Sequence, residues 1–344
     1  MHVLWSLIQP TLSALSPSPL PFSLRWRLLI FQPLTALIFT FKALPWILTP
    51  NSYSVHHLPT RAKHSLRTLA FQPPSRPTPD SRLRPLVLLI HGGGFVGGLP
   101  DMLAEFAQTI ARRTGAVVVA PTYRLAPRWR FPAAIDDVDD AVNWVVENAE
   151  KEWGADRRCI TVCGLSAGGN LAFATSLGRR EVKGLVTFYA PVDLRLHPRA
   201  KPRPDNFPKS DPLGFLQELY DTYASDAKKE CPEDPRCNPI FAPLDDLPRN
   251  ILLQIPKIDI LLHEQTVFVE RLRNEARGRG ELLEDGEEDL EGNKRRIMAN
   301  FYEKGFHGWV ELSKTMVDQE SWTMATESSF DFINEVNGAN GYAF

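Results

Sequence analysis

A chain of 344 residues with 43% hydrophobic and 23% charged side chains has the composition of a globular protein, long enough for one large domain. The formal net charge of −2 leaves no global field to draw in nucleic acid. Proline is the outlier: many of its 29 residues lie before residue 80 or between 191 and 256, where turns and irregular chain are expected.

Residues 1–60 read as an apolar N-terminal segment, with the clusters MHVLWSLI and LLIFQPLTALIFTF and no acidic residue before Asp80. Leu28 to Leu48 is a stretch with a single charge, Lys42, and is long enough to cross a bilayer. Arg25 and Arg27 before it would favour a cytoplasmic N-terminus. Gln32, Pro33, Lys42 and Pro45 count against a span and in favour of an apolar cap over an active-site mouth, or an interfacial anchor. A cleaved signal peptide fits poorly, since neither an early basic region nor a small-residue cleavage site is present. The expected localisation is cytoplasmic, or membrane-associated through residues 1–50. Residues 61–84, with the run QPPSRPTPDSRLRP at their end, read as a linker.

From 85 to 340 the pattern alternates. PLVLLI is a short continuous apolar run, as a buried parallel strand should be. A helix is expected around 101–113, then the strand AVVVA, then a helix over 132–149 with Pro132 in its first turn. CITVC follows as a strand, its Cys159 and Cys163 reading as core thiols. A small-residue helix is expected over 167–178. LVTFYA, ILLQI and IMANFYE supply three more strands, with helices at 263–276 and 317–335. This alternation predicts an α/β fold: a mostly parallel sheet covered on both faces. Two stretches interrupt it. Residues 195–247, rich in Pro, Asp and Lys, read as an inserted cap, in which Cys231 and Cys237 flank one short loop as a candidate disulfide. Residues 275–296 hold eight acidic and five basic side chains with four glycines, a composition that cannot bury a core and reads as a charged surface loop.

Gly164-Leu165-Ser166-Ala167-Gly168 is G-x-S-x-G, set between an apolar strand and a small-residue helix. In that context Ser166 sits on a tight turn with its hydroxyl exposed above the sheet, as a nucleophile must. His91-Gly92-Gly93-Gly94 follows the strand PLVLLI. Its backbone N–H groups at Gly93 and Gly94, with that of Ala167, are the candidate oxyanion hole, where one donor can be worth ~3 kcal/mol. The loop lacks the Lys and Ser/Thr of a phosphate-binding motif. A serine needs a base, and the fold places it late, after the acid. His307 in GFHGW is the histidine that follows the last predicted strand; His197 and His263 read as surface residues. Asp259, after ILLQI, is the candidate acid that would hold the imidazole tautomer, with Glu264 as fallback and Asp193 better suited to a cap hinge. The cysteines show no metal-ligand pattern.

HGGGF at 91–95, YRLAP at 123–127, FPAAIDD at 131–137, GLSAGGN at 164–170 and YAPVDL at 189–194 together resemble the hormone-sensitive-lipase-like family of α/β-hydrolases. The resemblance covers roughly residues 85 to 335. It implies an eight-stranded sheet, a cap built from the N-terminus and 195–247, and carboxylester hydrolysis without metal or cofactor. Ser166, Asp259 and His307 match the family's triad; Gly93, Gly94 and Ala167 match its oxyanion hole. Three departures stand out. Leu165 replaces the usual Asp before the serine, the Asp-to-His spacing is long, and the acid motif reads Asp259-Ile-Leu-Leu-His-Glu264 where D-P-L-x-D-E is usual.

The expected reaction is hydrolysis of short- to medium-chain or aryl esters through an acyl-enzyme, in an apolar pocket walled by Trp129, Phe95 and the N-terminal segment. Amide or lactone hydrolysis by the same residues remains an alternative, as does a non-catalytic small-molecule-binding module on the same fold. The partner implied in each case is a small molecule.

Overall fold

The computed structural model describes residues 11–12, 14–15, 21–49, 52–74, 83–209, 217–284, 287 and 293–342. Helix α1 (Phe22–Leu48) leads into eight strands: β1 (Ser54–Pro59), β2 (Ser65–Phe71), β3 (Arg84–Ile90), β4 (Val117–Pro121), β5 (Ala155–Leu165), β6 (Val182–Phe188), β7 (Asn250–Ile258) and β8 (Arg296–Phe306). They form one sheet in the order β1-β2-β4-β3-β5-β6-β7-β8. β2 runs antiparallel to both β1 and β4, and the remaining pairings are parallel.

Strand β3 explains the layering. Leu86, Leu88 and Ile90 enter one core cluster, and Val87 and Leu89 the other. A continuous apolar run therefore fills both faces, as a parallel strand between two helical layers requires. On the first face lie α3 (Ala133–Trp153), α4 (Ala167–Ser176) and α5 (Leu262–Gly278); on the second lie α2 (Ala104–Thr114) and α6 (Gln319–Ala339). Helices α2 and α3 stop at Gly115 and Gly154, both left-handed, and α6 starts at Asp318, whose carboxylate accepts from the Ser321 N–H at 3.0 Å.

Three expectations change. Residues 61–84, read as a linker, contain β2, and β1 falls inside the segment expected to be only apolar cap. The hairpin joins the sheet because Leu58, Leu66, Thr68 and Leu69 are buried, while most of β1 is exposed. The stretch expected as a candidate membrane span is helical, but among the described residues no helix is long and apolar enough to cross a membrane. One face of α1 instead packs on the protein through Leu24, Leu28 and Phe31, and its prolines and Lys42 dilute the hydropathy. Cys231 and Cys237 are free thiols, not a disulfide. The cluster MHVLWSLI, residues 210–216 of the cap, and 285, 286 and 288–292 of the charged loop lie outside the described residues.

The turn after the glycine loop is fixed from below. Arg67 of β2 makes two hydrogen bonds, 2.6 and 2.8 Å, to Asp101, whose side chain is fully buried. Removing one partner of such a pair leaves an uncompensated charge and costs about 3 kcal/mol or more. Arg67→Met should lower the urea unfolding free energy by that amount, and Arg67→Met with Asp101→Leu should recover most of it. An unchanged single variant would contradict this account.

Candidate active site

Strand β5 ends at Leu165 and α4 begins at Ala167, so Ser166 makes the turn alone, at φ 53° and ψ −122°. A non-glycine residue held there costs on the order of 1–3 kcal/mol. The surrounding backbone holds it: the Ser166 N–H donates to the Phe188 carbonyl at 2.9 Å, and its carbonyl accepts from Gly169 at 2.8 Å. The flanks must be glycine for lack of room. A Cβ on Gly164 would stand 2.2 Å from the Gly168 carbonyl oxygen, and one on Gly168 would stand 2.2 Å from that of Ile90.

Register brings the other groups to this turn. Ile90 of β3 pairs with Gly164, so the His91–Gly94 loop emerges beside Ser166. Ile258 of β7 pairs with Phe306 of β8, so the next residues, Asp259 and His307, meet although 48 positions apart. Ser166 Oγ lies 2.8 Å from His307 Nε2, and His307 Nδ1 lies 2.8 Å from Asp259 Oδ2. The Asp259 side chain is fully buried, and its Oδ1 accepts from the Leu261 N–H at 3.0 Å. Burial works against a charged imidazole, but the charge and hydrogen bond of Asp259, with Glu311 and Glu264 beyond, raise the His307 pKa above its ordinary value.

Gly93 takes φ +113°, open to glycine alone, and turns the loop back so that its carbonyl accepts from Val96 and Gly97. Among the described residues no acceptor takes the N–H groups of Gly93, Gly94 or Ala167, which leaves them free for a ligand oxygen. The neighbouring motifs support this loop. Tyr123 stacks on His91 at 4.3 Å and donates to the His91 carbonyl at 2.9 Å. Burial pushes the His91 imidazole down to about 4, so it stays neutral. Arg124 binds the buried Asp137 through its backbone N–H at 2.8 Å and through its guanidinium. Asn170 donates to the carbonyls of Pro191 and Cys237, tying α4 to the chain just before the cap and to the cap itself.

The fallback acid has other work. Glu264 accepts from the N–H groups of Val192 and Asp193 and pairs with buried Lys201. Asp193 pairs with Arg195 at the cap entrance. His263 is exposed and His197 half-buried. Phe95, expected in the pocket wall, is buried and stacks on Tyr223 at 3.9 Å, while Trp129 is exposed.

The family described as alpha/beta hydrolase fold matches residues 87–288, more than half of the chain. The chain belongs to this family. Its motifs are those of the hormone-sensitive-lipase-like branch. Among curated relatives, an ethyl acetate hydrolase of Pseudomonas putida is 42% identical over 124 residues, covering 36% of this chain and 38% of that protein. A 3-O-acetylpapaveroxine carboxylesterase of Papaver somniferum is 39% identical over 149 residues, covering 39% and 45%. The chain thus spans less than half the length of the curated relatives it matches. Of solved structures, an esterase of Pyrobaculum calidifontis aligns with TM-score 0.67 at 26% identity, over 89% of this chain and 90% of that one.

Sequence reasoning missed several residues around the site. Tyr220 of the cap closes over Gly94, where a Cβ would come within 2.3 Å of its ring. The Tyr189 hydroxyl donates to Glu311, and Lys42 of α1 reaches the same loop. Glu311 has one sequence signal, its place four residues after His307; Lys42 has another, as the sole charge in an apolar stretch.

His307 should titrate above the ordinary imidazole value of about 6.5. Asp259→Asn removes the larger charge that favours the imidazolium and should bring the midpoint down. NMR of the labelled imidazole nitrogens reads both, and a midpoint unmoved by Asp259→Asn would contradict the assignment.

Proposed function

We propose that the chain is a serine carboxylesterase acting on short- to medium-chain or aryl esters through an acyl-enzyme. The observation that carries this reading is the unbroken hydrogen-bonded chain from Ser166 through His307 to Asp259, with three backbone N–H groups nearby that have no acceptor among the described residues. Ser166 Oγ attacks the ester carbonyl while His307 Nε2 takes its proton. The oxyanion is met by the N–H groups of Gly93, Gly94 and Ala167. The alcohol leaves with the proton from His307, and water, activated by the same imidazole, releases the acid. Asp259 keeps Nδ1 protonated and stabilises the imidazolium. The named activities of the relatives, on acetate esters in two cases, favour small acyl groups. Amides and lactones use the same groups and are the rival substrates. A purely binding role leaves the Ser166–His307 contact without a purpose.

Hydrolysis of p-nitrophenyl esters of increasing acyl length tests this. Wild type should turn over the short esters fastest, and Ser166→Ala should lose at least about a thousandfold in kcat/KM. Equal rates in the two proteins would sink the reading.

A second reading, association with a membrane surface, is favoured by a row of exposed apolar side chains on α1. Ile30, Leu34 and Leu37 share one face and are 49%, 42% and 54% exposed, on a helix that would ordinarily be polar outside. In vesicle sedimentation the full chain should co-pellet with anionic phospholipid, and the variant Ile30→Ser/Leu34→Ser/Leu37→Ser should stay in solution. Wild type that remains in the supernatant contradicts this reading.

A further inference from the structure

The acyl transfer described above leaves the carboxylate of Glu311 without a role, although it sits at the reacting centre. Glu311 closes the short turn Trp309–Glu311 that follows His307. Its Oε1 accepts from the Tyr189 hydroxyl at 3.2 Å, and the Tyr189 ring centroid is 5.1 Å from that of His307. The same oxygen lies 3.3 Å from the point where a Cβ on Gly92 would stand, and Ser166 Cβ lies 3.2 Å from that point. Carboxylate and nucleophile therefore face one gap at the base of the glycine loop. An ionised carboxylate there has two opposed effects. It favours the imidazolium of His307, and it repels the oxyanion forming a few ångströms away.

The compensating charge comes from the N-terminal helix. Lys42 Nζ donates to the Glu311 carbonyl oxygen across 269 positions of chain. Helix α1 is seated where this reach is fixed. Gln32 Nε2 donates to the Val96 carbonyl at 3.3 Å, and the Phe31 ring covers Gly97, where a Cβ would come within 2.8 Å. Arg27 binds Glu218 of the cap at 2.9 Å.

We propose that Lys42 is a positioning residue of the active site: it clamps the His307 loop at Glu311 and supplies the positive charge that offsets the Glu311 carboxylate while the oxyanion forms. The N-terminal helix is then an electrostatic part of the site as well as its roof. Burial lowers the Lys42 ammonium and raises the Glu311 carboxyl, and each charge draws the other back toward its ordinary value. The other groups that face the pair are His307, with Asp259 and Glu264 behind it, Tyr189, Tyr123, and Glu105 of α2.

The proposal rests on Ser166 being the activated nucleophile, and the test separates the two ideas. A fluorophosphonate probe needs the nucleophile and its base but no particular ester. Ser166 Oγ bonds to phosphorus, fluoride leaves, and His307 takes the proton. The second-order labelling rate is measured per folded protein, with thermal midpoints checked for each variant. Lys42→Met should slow labelling about tenfold or more, and Lys42→Arg should stay within about threefold of wild type. In the Glu311→Gln background, Lys42→Met should cost clearly less than it does in wild type, because no carboxylate is left to offset and only the hydrogen bond to the Glu311 carbonyl is lost. The same loss in both backgrounds, or none in either, overturns the proposal. If Lys42→Met does not fold, Glu311→Gln decides alone: its acid limb should move to lower pH, and an unmoved limb overturns the proposal. Wild type that fails to label at all sinks the nucleophile reading and this proposal with it, whereas labelling with additive variants sinks the proposal alone.

Discussion

Ser166 keeps its left-handed backbone because three strand ends close around it at distances that exclude side chains. Gly164 and Gly168 remove the atoms that would collide with the Gly168 and Ile90 carbonyls, and the Phe188 carbonyl takes the serine N–H. The strain this turn stores, on the order of 1–3 kcal/mol, is offset by the buried sheet beneath it. Two results follow from the one turn. Ser166 reaches His307 with its hydroxyl, and the N–H of Ala167, the first of α4, has no intrahelical acceptor. Sheet register does the rest, bringing β3, β7 and β8 to deliver the glycine loop, Asp259 and His307.

The motifs shared with the family make physical sense as braces for that turn. Tyr123 holds His91, and Arg124 holds Asp137 on α3. Asn170 ties α4 to Pro191 and to Cys237 of the cap, and Glu264 accepts from the backbone N–H groups of Val192 and Asp193. Among the described residues, none of these side chains hydrogen-bonds to the side chains of Ser166, His307 or Asp259. Leu165, where the family usually has Asp, is buried in the core cluster with Phe188, Tyr189 and Trp309. The elbow is thus backed here by apolar packing.

Most of the sheet was legible because parallel strands covered on both faces are short continuous apolar runs, as in PLVLLI and ILLQI. The hairpin β1–β2 was not, because SVHHLP and SLRTLAF mix His, Arg, Thr and Ser among their apolar residues, and β1, at the sheet edge, is mostly exposed. Ser166 is legible from its motif, and His307 and Asp259 from chain order, with Glu264 left as the fallback acid. Phe95 was read as a wall residue, and its burial and stacking on Tyr223 put it in the core. Lys42 and Glu311 were out of reach for a different reason. Their contact joins a helix before the sheet to a loop after its last strand, and no local pattern encodes such a pairing.

The central claim is that Ser166 carries the acyl group. The most direct measurement mixes the protein with p-nitrophenyl acetate, quenches in acid within the first turnover, and maps the acetylated peptide by mass spectrometry. The account predicts acetyl on Ser166 in wild type and none on that peptide in Ser166→Ala. Ester turnover that persists in Ser166→Ala with no acyl group on Ser166 in wild type would contradict it.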